Sequence, residues 1–452
     1  MTLKKIFSGV IMVSLSLGVH AQTLKQEKEM QQYFEQSLKG SNSTTVKTKR
    51  LSVKQIDSYR ASVWNAWVKA NQSVENPYTL PALDSLGAER KSAWQLPEEL
   101  EPHATLNFYY GYKGVKPQKG YPFFLYLHGS GPKDKEWATG LLLAKRFKDG
   151  PSLYFIPQIP NEQGYYRWWQ KSKQLAWENL LRQAMLNPDV DPNRLYVFGI
   201  SEGGYGSQRL ASFYADYWAA AGPMAGGEPL KNAPVENLSN TAFYFRTGAN
   251  DRGFYRNLLT RFTSEALDSI KQLFPNDYKN YRVELIPDRQ HFIEYDLTTP
   301  WLARQTRNAR PKHFIWEDYE MDELHRKGFY NIVVNQRPDA QLRTRYDVNI
   351  QENVVNIKVE NITYTTLMTD PMFGIELKFS RAYAPATRGN FTLFLNEDMV
   401  DLTRPVTVVV NGKEVFKGKV GIDVKNMLRS LSVFYDPQRI FPAAVDISIS
   451  SH

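Results

Sequence analysis

Short apolar runs, separated by glycine and proline, dominate residues 104 to about 300. Such runs predict buried strands, and the amphipathic stretches between them predict helices, of which the clearest is Lys173–Met185. Continuous apolar strands that alternate with helices are typical of an α/β domain whose largely parallel sheet is buried on both faces. The expected strands are 105–112, Phe123–Leu127, Leu153–Ile156, Leu195–Phe198, Trp218–Gly222, Thr241–Arg246 and Tyr281–Ile286.

The region before this stretch has a helical pattern. Ser52 and Gln55 fit a capping box, in which two side chains satisfy free backbone groups at a helix start. The apolar residues that follow share one helical face: Ile56, Tyr59, Val63, Trp64 and Trp67. Prolines then break the chain into loops. We therefore predict a helical leader or cap over residues 22–103.

The region after about residue 343 has the pattern of short strands. Val406–Val410 and Val415–Phe416 are joined by Asn411 and Gly412, a pair typical of a type I′ hairpin turn. The prediction is an α/β domain over 104–342, followed by an all-β, sandwich-like domain over 343–452. Further strand-like stretches are 373–379, 391–395, 431–435 and 445–449.

The first residues have the pattern of an export signal. Lys4 and Lys5 precede an apolar run of about 14 residues. A residue with a small side chain, Ala21, lies where a signal peptidase would cut. The run is too short for a good membrane span, although a short membrane anchor is the alternative reading. We expect a signal peptide over residues 1–21, a periplasmic or secreted protein, and no stable membrane insertion.

Composition removes several kinds of chemistry. The chain has 452 residues, 7 histidines and no cysteine, so disulfides, cysteine-ligated metals and a cysteine nucleophile are excluded. Its formal charge is +9, but the basic residues are scattered among acids, so no nucleic-acid partner is expected. No histidine pair has metal-ligand spacing, and the prediction includes no metal and no cofactor.

A reactive serine is indicated directly after the expected strand Leu195–Phe198. The residues from Gly199 to Gly204 read Gly-x-Ser-x-Gly-Gly, and a helical pattern follows. Tiny neighbours allow a sharp, strained turn that presents the Ser201 hydroxyl at the end of a sheet. The pattern alone is only moderately specific, but its place between a buried strand and a helix predicts that Ser201 is a nucleophile.

A second loop could stabilise negative charge on a reacting carbonyl oxygen. His128 and the residues Gly129, Ser130 and Gly131 follow the strand Phe123–Leu127. Backbone N–H groups of such a loop, together with that of Glu202 after the nucleophile, can form an oxyanion hole. We interpret His128 as a scaffold for the loop, since it precedes the nucleophile in the chain.

An acid is expected on the loop after Thr241–Arg246. Asp251 is five residues beyond that strand and faces the same sheet edge as Ser201, so it is the predicted partner of the base. The competing residues are Glu228, Asn250 and Asp288.

The base is expected still later in the chain. His291 is the only histidine on the loop that follows the last expected strand, Tyr281–Ile286. An imidazole is needed to accept the serine proton, and a carboxylate to orient that imidazole. The other histidines after the acid are His313, His325 and His452.

At this point residues 104 to about 300 resemble the α/β-hydrolase superfamily. The likeness is to secreted esterases of the feruloyl, acetyl-xylan and polyhydroxyalkanoate-depolymerase kind, and to the catalytic domain of prolyl-oligopeptidase-type peptidases. It implies an α/β-hydrolase sheet between helices, with Ser201, Asp251 and His291 as triad and the 129–131 loop as oxyanion hole. The sequence departs from this family at Asp288, Arg289 and Gln290, where a glycine often precedes the histidine.

An aromatic cluster is the candidate substrate site. It follows the strand Leu153–Ile156 and should lie near the catalytic edge, where rings could stack on a sugar or an aromatic acyl group. The alternative is that the rings pack between loop and cap. The cluster consists of Tyr165, Tyr166, Arg167, Trp168 and Trp169, with Trp137 beyond the oxyanion loop.

The sequence therefore predicts an exported serine hydrolase that forms an acyl-enzyme. A carboxylesterase on a small-molecule or polysaccharide-linked ester, such as an acylated glycan, is the first hypothesis. A serine peptidase of the prolyl-oligopeptidase type is the second, weakened because the leader is too short for a propeller. A non-catalytic binding protein on a hydrolase scaffold is the third. The sequence leaves the oligomeric state open.

Overall fold

The computed structural model describes residues 25–41, 48–278 and 280–450. The predicted signal peptide, residues 1–21, and His452 lie outside the described residues. Across the described ranges, every helix is too short or too polar to cross a lipid bilayer.

The helices and strands alternate through the first two thirds of the chain, and strands dominate afterwards. The helices are α1 (25–38), α2 (Ile56–Ser73), α3 (Lys133–Arg146), α4 (Lys171–Leu186), α5 (Glu202–Phe213), α6 (Arg256–Leu273), α7 (Thr298–Leu302) and α8 (Val424–Phe434). The first nine strands are β1 (Lys91–Gln95), β2 (Thr105–Lys113), β3 (Tyr121–Leu127), β4 (Ser152–Pro157), β5 (Val190–Ile200), β6 (Ala220–Met224), β7 (Ala242–Gly248), β8 (Tyr281–Ile286) and β9 (His313–Asp318). The remaining strands are β10 (Gly328–Phe329), β11 (Ile332–Gln336), β12 (Arg343–Gln351), β13 (Val354–Thr369), β14 (Glu376–Pro385), β15 (Arg388–Leu395), β16 (Val406–Val410), β17 (Lys413–Gly418) and β18 (Ala443–Ser450).

An eight-stranded sheet organises the first part of the chain, in the order β1-β2-β4-β3-β5-β6-β7-β8. Strands β3 to β8 run parallel, while β1 and β2 form an antiparallel edge. Every residue of β3, β4, β6 and β7 is buried, as continuous apolar strands covered on both faces require. All strands expected between 105 and 286 are present, which confirms the predicted α/β class.

Alternation along the strands builds two separate cores. Phe124 and Tyr126 of β3 point to the face covered by α3 and α7, where they meet Trp137. Phe123 and Leu125 point to the opposite face, which α4, α5 and α6 cover. Successive strand residues face opposite sides, so each apolar strand feeds both cores.

The last part of the chain forms two further sheets. One has four strands in the order β10-β11-β15-β18, and the other has six, with β14 attached to β13 beside the path β17-β16-β13-β12-β9. Trp316 of β9 stacks on Phe329 of β10 at 5.4 Å between ring centroids, so side chains of the two sheets pack together. The predicted β-rich region is therefore present.

The sheets divide the chain at other positions than the predicted boundaries. Strand β1 lies inside the expected helical leader and pairs with β2 through Lys91 and Tyr109. Strand β9 precedes residue 343, yet it pairs with β12. Residues 431–435, expected as a strand, mostly belong to α8 because Asp423 caps that helix at Lys425 N–H and its apolar residues recur at helical spacing.

A buried charge network joins the α/β part to the C-terminal part. Asp216, just after α5, is paired with Arg439 and Arg326. Arg439 also binds Asp436 at 2.7 Å, and Arg307 binds the same carboxylate at 2.8 Å. Asp216, Asp436 and Arg439 are fully buried, so each depends on its partners for solvation.

Candidate active site

Ser201 occupies a tight turn between β5 and α5. Its φ of 58° is in the left-handed region, which a non-glycine residue adopts only under constraint. Its N–H donates to the carbonyl of Met224 at 2.9 Å, which fixes the turn to β6. A Cβ on Gly203 would lie 1.9 Å from the Leu127 carbonyl oxygen, and one on Gly199 would lie 2.2 Å from the Gly203 oxygen. Only glycine permits this approach.

The structure brings together the three residues predicted as a triad. Nε2 of His291 lies 3.0 Å from Oγ of Ser201, and Nδ1 of His291 lies 2.8 Å from Oδ2 of Asp251. Asp251 and His291 stand on the loops after the neighbouring parallel strands β7 and β8, which pair up to Gly248 and Ile286. In the neutral tautomer, Nδ1–H donates to the carboxylate and Nε2 accepts from the serine hydroxyl.

Arg256 binds the far side of the Asp251 carboxylate, a contact that the sequence did not suggest. Its Nε donates to Oδ2 at 2.8 Å and its Nη2 donates to Oδ1 at 2.6 Å. Burial acts to raise the pKa of Asp251, but the hydrogen bonds from His291 and Arg256 outweigh it and lower that pKa. The acid therefore stays ionised beneath the imidazole. The one local sign of this contact in the sequence was that Arg256 lies in the first turn of the helix after the acid.

The loop 129–131 lies against Ser201, the predicted nucleophile. A Cβ on Gly129 would be 3.4 Å from Cβ of Ser201. Ser130 and Glu202, the first residue of α5, line the same cavity as Ser201. Register explains this approach, because Leu127 of β3 pairs with Gly199 of β5, so both strands end side by side.

His128 supports this loop, as predicted. It is fully buried, and its Nε2 accepts the Ile159 N–H at 3.1 Å while Nδ1 lies 2.8 Å from the Gly129 carbonyl oxygen. Burial lowers the pKa of His128 to about 4, against a smaller opposing effect of the Gly129 hydrogen bond. The ring is therefore neutral and holds the loop through both nitrogens.

The predicted substrate cluster separates into two groups, and part of that prediction is wrong. The Tyr166 hydroxyl lies 2.7 Å from the Gly129 carbonyl oxygen, and Trp168 Nε1 donates to the His128 carbonyl at 3.0 Å. Trp137 donates to Ile156 and stacks on Tyr109 in the core under α3. These three rings are buried and bond to the 128–131 loop and the sheet, and none of them lines the cavity at Ser201.

The other members of the cluster are closer to solvent. Arg167 and Trp169 line a cavity of about 750 Å³ that opens on Ser201. The guanidinium of Arg209 lies over the Trp169 ring at 3.8 Å. Tyr165 is exposed and does not line this cavity. Two of the six predicted residues therefore face the candidate substrate space.

Charged side chains form much of the cavity wall. Arg209 pairs with Glu228 through two contacts of 2.8 and 3.0 Å. Glu228, which competed with Asp251 for the acid position, is therefore bound to Arg209. Arg167 Nη1 lies 3.4 Å from Oε1 of Glu202. Burial raises the pKa of Glu202 to about 7, although Arg167 acts against it. Composition gave no sign that these residues would converge.

The opposite wall comes from the C-terminal region. Beyond Ile362, β13 pairs with β14 alone and extends as a two-stranded hairpin toward Ser201. We call this element the β13–β14 hairpin, and its turn at residues 370–375 the tip. The hairpin residues that line the cavity are Thr366, Thr369, Phe373, Gly374, Ile375 and Glu376. The sequence pattern predicted that this segment belongs to a separate domain, and it did not predict the approach of the segment to Ser201.

The other histidines of the described ranges serve different contacts. His313 is bound by Asp277 and, at 3.0 Å, by Asp347. His325 lies 3.2 Å from Asp318. Within residues 25–41, 48–278 and 280–450, no three His, Asp or Glu side chains are grouped to hold a metal ion.

The strand order, the turn at Ser201 and the acid and base on consecutive loops define an α/β-hydrolase fold, as the sequence predicted. No protein-family model matches the chain, and no curated protein matches its sequence. Similar solved structures include a thermostable esterase, with 18% identity over 48% of this chain and 64% of that chain and a TM-score of 0.36.

Two further solved structures are similar at the same level. A feruloyl esterase module from Clostridium thermocellum has 14% identity over 52% of this chain and 94% of that one, with a TM-score of 0.31. A fluorophosphonate-binding serine hydrolase from Staphylococcus aureus has 14% identity over 48% and 98%, with a TM-score of 0.33. These values are low, so the functional assignment has to come from the contacts within the chain itself.

Proposed function

We propose that the chain is an exported serine hydrolase in which Ser201 is the nucleophile, His291 the base and Asp251 the acid. The observation that carries the proposal is the relay of contacts from Ser201 Oγ to His291 Nε2 at 3.0 Å and from His291 Nδ1 to Asp251 at 2.8 Å. A hydroxyl at a strained turn, an acceptor imidazole and an ionised carboxylate are the parts that acyl transfer needs.

The reaction follows from these positions. Ser201 Oγ attacks the carbonyl carbon as His291 takes its proton, and the carbonyl oxygen becomes an oxyanion. Backbone N–H groups of the 129–131 loop and of Glu202 stabilise that oxyanion. His291 then gives its proton to the leaving alcohol as the bond to it breaks, which leaves an acyl-serine. Water, activated by His291, attacks the acyl-serine and releases the acid.

The proposed reaction is carboxylic ester hydrolysis on an acylated glycan or another extracellular ester. A peptidase would use the same three residues, and a binding protein would need none of them. The short helical leader and the absence of a propeller among the described elements favour the esterase.

A fluorophosphonate probe tests the nucleophile. It should label the wild-type protein and leave Ser201→Ala unlabelled, with Ser207→Ala, a buried serine of the same helix region, as the labelled control. Equal labelling of wild type and Ser201→Ala would overturn the assignment. A panel of p-nitrophenyl esters and aminoacyl p-nitroanilides then separates esterase from peptidase, since preferential anilide turnover would make the peptidase the better reading.

A further inference from the structure

The direction in which the cavity leaves Ser201 identifies the part of the substrate that it holds. A leaving group has to reach His291 Nε2, which protonates it, whereas the acyl group stays beside the oxyanion donors. The cavity is lined by Ser130, Ser201 and Glu202, and His291 is not part of its wall. This lining favours the acyl side of the scissile bond as the place of the cavity, whose volume is about 750 Å³.

Two carboxylates in this wall each have one oxygen without a hydrogen-bond donor. Oε1 of Glu202 and Oε1 of Glu376 are both buried, and no donor among the described residues bonds to either. The nearest cations are Arg167, whose Nη1 forms an ion pair with this oxygen of Glu202 at 3.4 Å, and Lys231, at 4.0 Å from the other oxygen of Glu376. Buried acceptors without donors cost free energy. Both residues line the cavity, so a ligand that brings O–H or N–H groups is favoured there when the carboxylate turns its buried oxygen toward it.

The two carboxylates come from different parts of the chain. Glu202 begins the helix after the nucleophile, and Glu376 begins β14 on the hairpin, where the Thr366 hydroxyl donates to its second oxygen. An acyl group that extends from Ser201 across the cavity would pass from one to the other. Recognition of its far end therefore depends on the hairpin.

Two contacts hold the hairpin tip over the cavity. The Tyr255 hydroxyl donates to Asp370 at 2.8 Å, and the rings of Phe254 and Phe373 lie 4.6 Å apart between centroids. Asp370 also accepts the N–H of Phe373 at 2.6 Å, which orders the turn itself. Phe254 and Phe373 are 47% and 49% exposed, so an incoming substrate can still reach these rings.

We propose that the catalytic cavity receives an acyl group that carries hydrogen-bond donors, and that the β13–β14 hairpin selects this group through Glu376 and Phe373. The inference rests on the proposed function, because it takes Ser201 as the acylated residue. It assigns the C-terminal β region a direct part in substrate choice. The donors are hydroxyl or ammonium groups, which a carboxylate recognises through the same chemistry.

The test compares p-nitrophenyl esters that share a leaving group. Phenylpropionyl, para-hydroxyphenylpropionyl and para-aminomethylphenylpropionyl esters share one acyl skeleton, and the second and third add a hydroxyl or an ammonium donor at its far end. We expect kcat/KM to be about tenfold higher for at least one donor-bearing ester than for the phenylpropionyl ester, as hydrogen bonds to charged groups allow. The larger of the two gains distinguishes a hydroxyl from an ammonium ligand.

Matched variants on the hairpin locate the effect. Glu376→Gln should reduce that gain about tenfold, and Phe373→Ala should reduce the preference for phenylpropionyl over acetyl esters several-fold. Phe373 is half exposed, so its replacement leaves the fold intact and keeps the test valid if Glu376→Gln folds poorly. Met372→Ala, at an exposed neighbour that does not line the cavity, should leave both ratios unchanged.

The outcomes separate the inference from the proposed function. Equal kcat/KM for the three esters, or ratios unaffected by both hairpin variants, would overturn the inference while fluorophosphonate labelling of Ser201 keeps the hydrolase. A wild-type protein that the probe does not label would overturn both.

Discussion

The catalytic cavity has two walls that are built in different ways. The wall that carries Ser201 is fixed by backbone contacts, such as the approach of Gly203 to the Leu127 carbonyl and the bond from the Ser201 N–H to Met224. The wall formed by the β13–β14 hairpin is held at its tip by one hydroxyl and one pair of half-exposed rings. The position of Ser201 is thus fixed by the backbone, whereas the position of the hairpin tip depends on few contacts.

This difference separates two kinds of residue. A substitution in the first wall alters the position of the reacting atoms and changes kcat for every substrate. A substitution at the hairpin tip leaves those atoms in place and changes which acyl group is accepted. Under the proposed function, chemistry and selectivity can therefore change independently. Each prediction below tests one wall or a contact between the two parts of the chain.

The largest effect is expected in the first wall, at the base. His291→Ala removes the acceptor of the serine proton, so turnover of a p-nitrophenyl ester should fall by about four to six orders of magnitude. His103→Ala, at a highly exposed histidine, serves as the control in the same assay. Near-normal turnover in His291→Ala would show that another histidine is the base.

The next effect is expected behind the acid. Arg256→Met removes two donors from the buried Asp251 carboxylate, so the pKa of Asp251 should rise and kcat/KM should fall about tenfold. The acidic limb of the pH–rate profile should move to higher pH. Arg252→Met, at an exposed arginine four residues earlier, should leave the profile in place. An unshifted limb in Arg256→Met would mean that the ion pair only packs the loop.

A contact between the α/β part and the C-terminal β region is expected to be sensitive to pH. His313 of β9 is bound by Asp277, which follows α6, and by Asp347 of β12. Burial acts to lower the pKa of His313, but the two carboxylates raise it to about 9. The raised value means that this contribution to stability is fully present below the ordinary histidine pKa of about 6.5 and is lost as pH rises through about 9.

Urea unfolding at several pH values measures that contribution. His313→Gln should lower the free energy of unfolding by at most about 3 kcal/mol at pH near 6, and the difference from wild type should shrink as pH passes about 9. His103→Gln provides the reference for an exposed histidine. A difference that is constant over this range would show that the charge of His313 contributes nothing.

The smallest effect is expected at the hairpin tip. Tyr255→Phe removes the hydroxyl that binds Asp370, so KM for bulky acyl esters should rise roughly threefold relative to acetyl esters. Tyr281→Phe removes a comparable hydroxyl contact, to Asp268 on α6, away from the cavity and is the matched control. Equal KM ratios in both variants would show that the tip is held without Tyr255.

The first wall was predictable because its information is local. The serine with its glycine neighbours follows one apolar run, and the acid and the histidine follow later apolar runs. Because parallel strands end at the same sheet edge, the three residues are expected to lie there together. Helix α8 carried a local signal as well, since Asp423, Val424, Met427, Leu428 and Leu431 have capping and helical spacing that the strand prediction overlooked.

The second wall was not predictable from local pattern. The hairpin reaches Ser201 only because β13 pairs with β12, β14 and β16, which are contacts between distant segments. The aromatic residues after β4 mislead for a related reason. Trp168 is fully buried and donates to the His128 carbonyl, but its neighbour Trp169 lines the cavity, and composition cannot tell the two apart.

The charge network around Asp216 limits how this chain could be rearranged. An α/β part without the C-terminal region would lose Arg439, the fully buried partner of Asp216, and breaking a buried ion pair costs about 3–5 kcal/mol. Exchange of the β region alone would therefore break this network unless Asp216 were replaced as well. A descendant chain can alter the hairpin tip residue by residue, but with Asp216 in place it has to inherit both parts together.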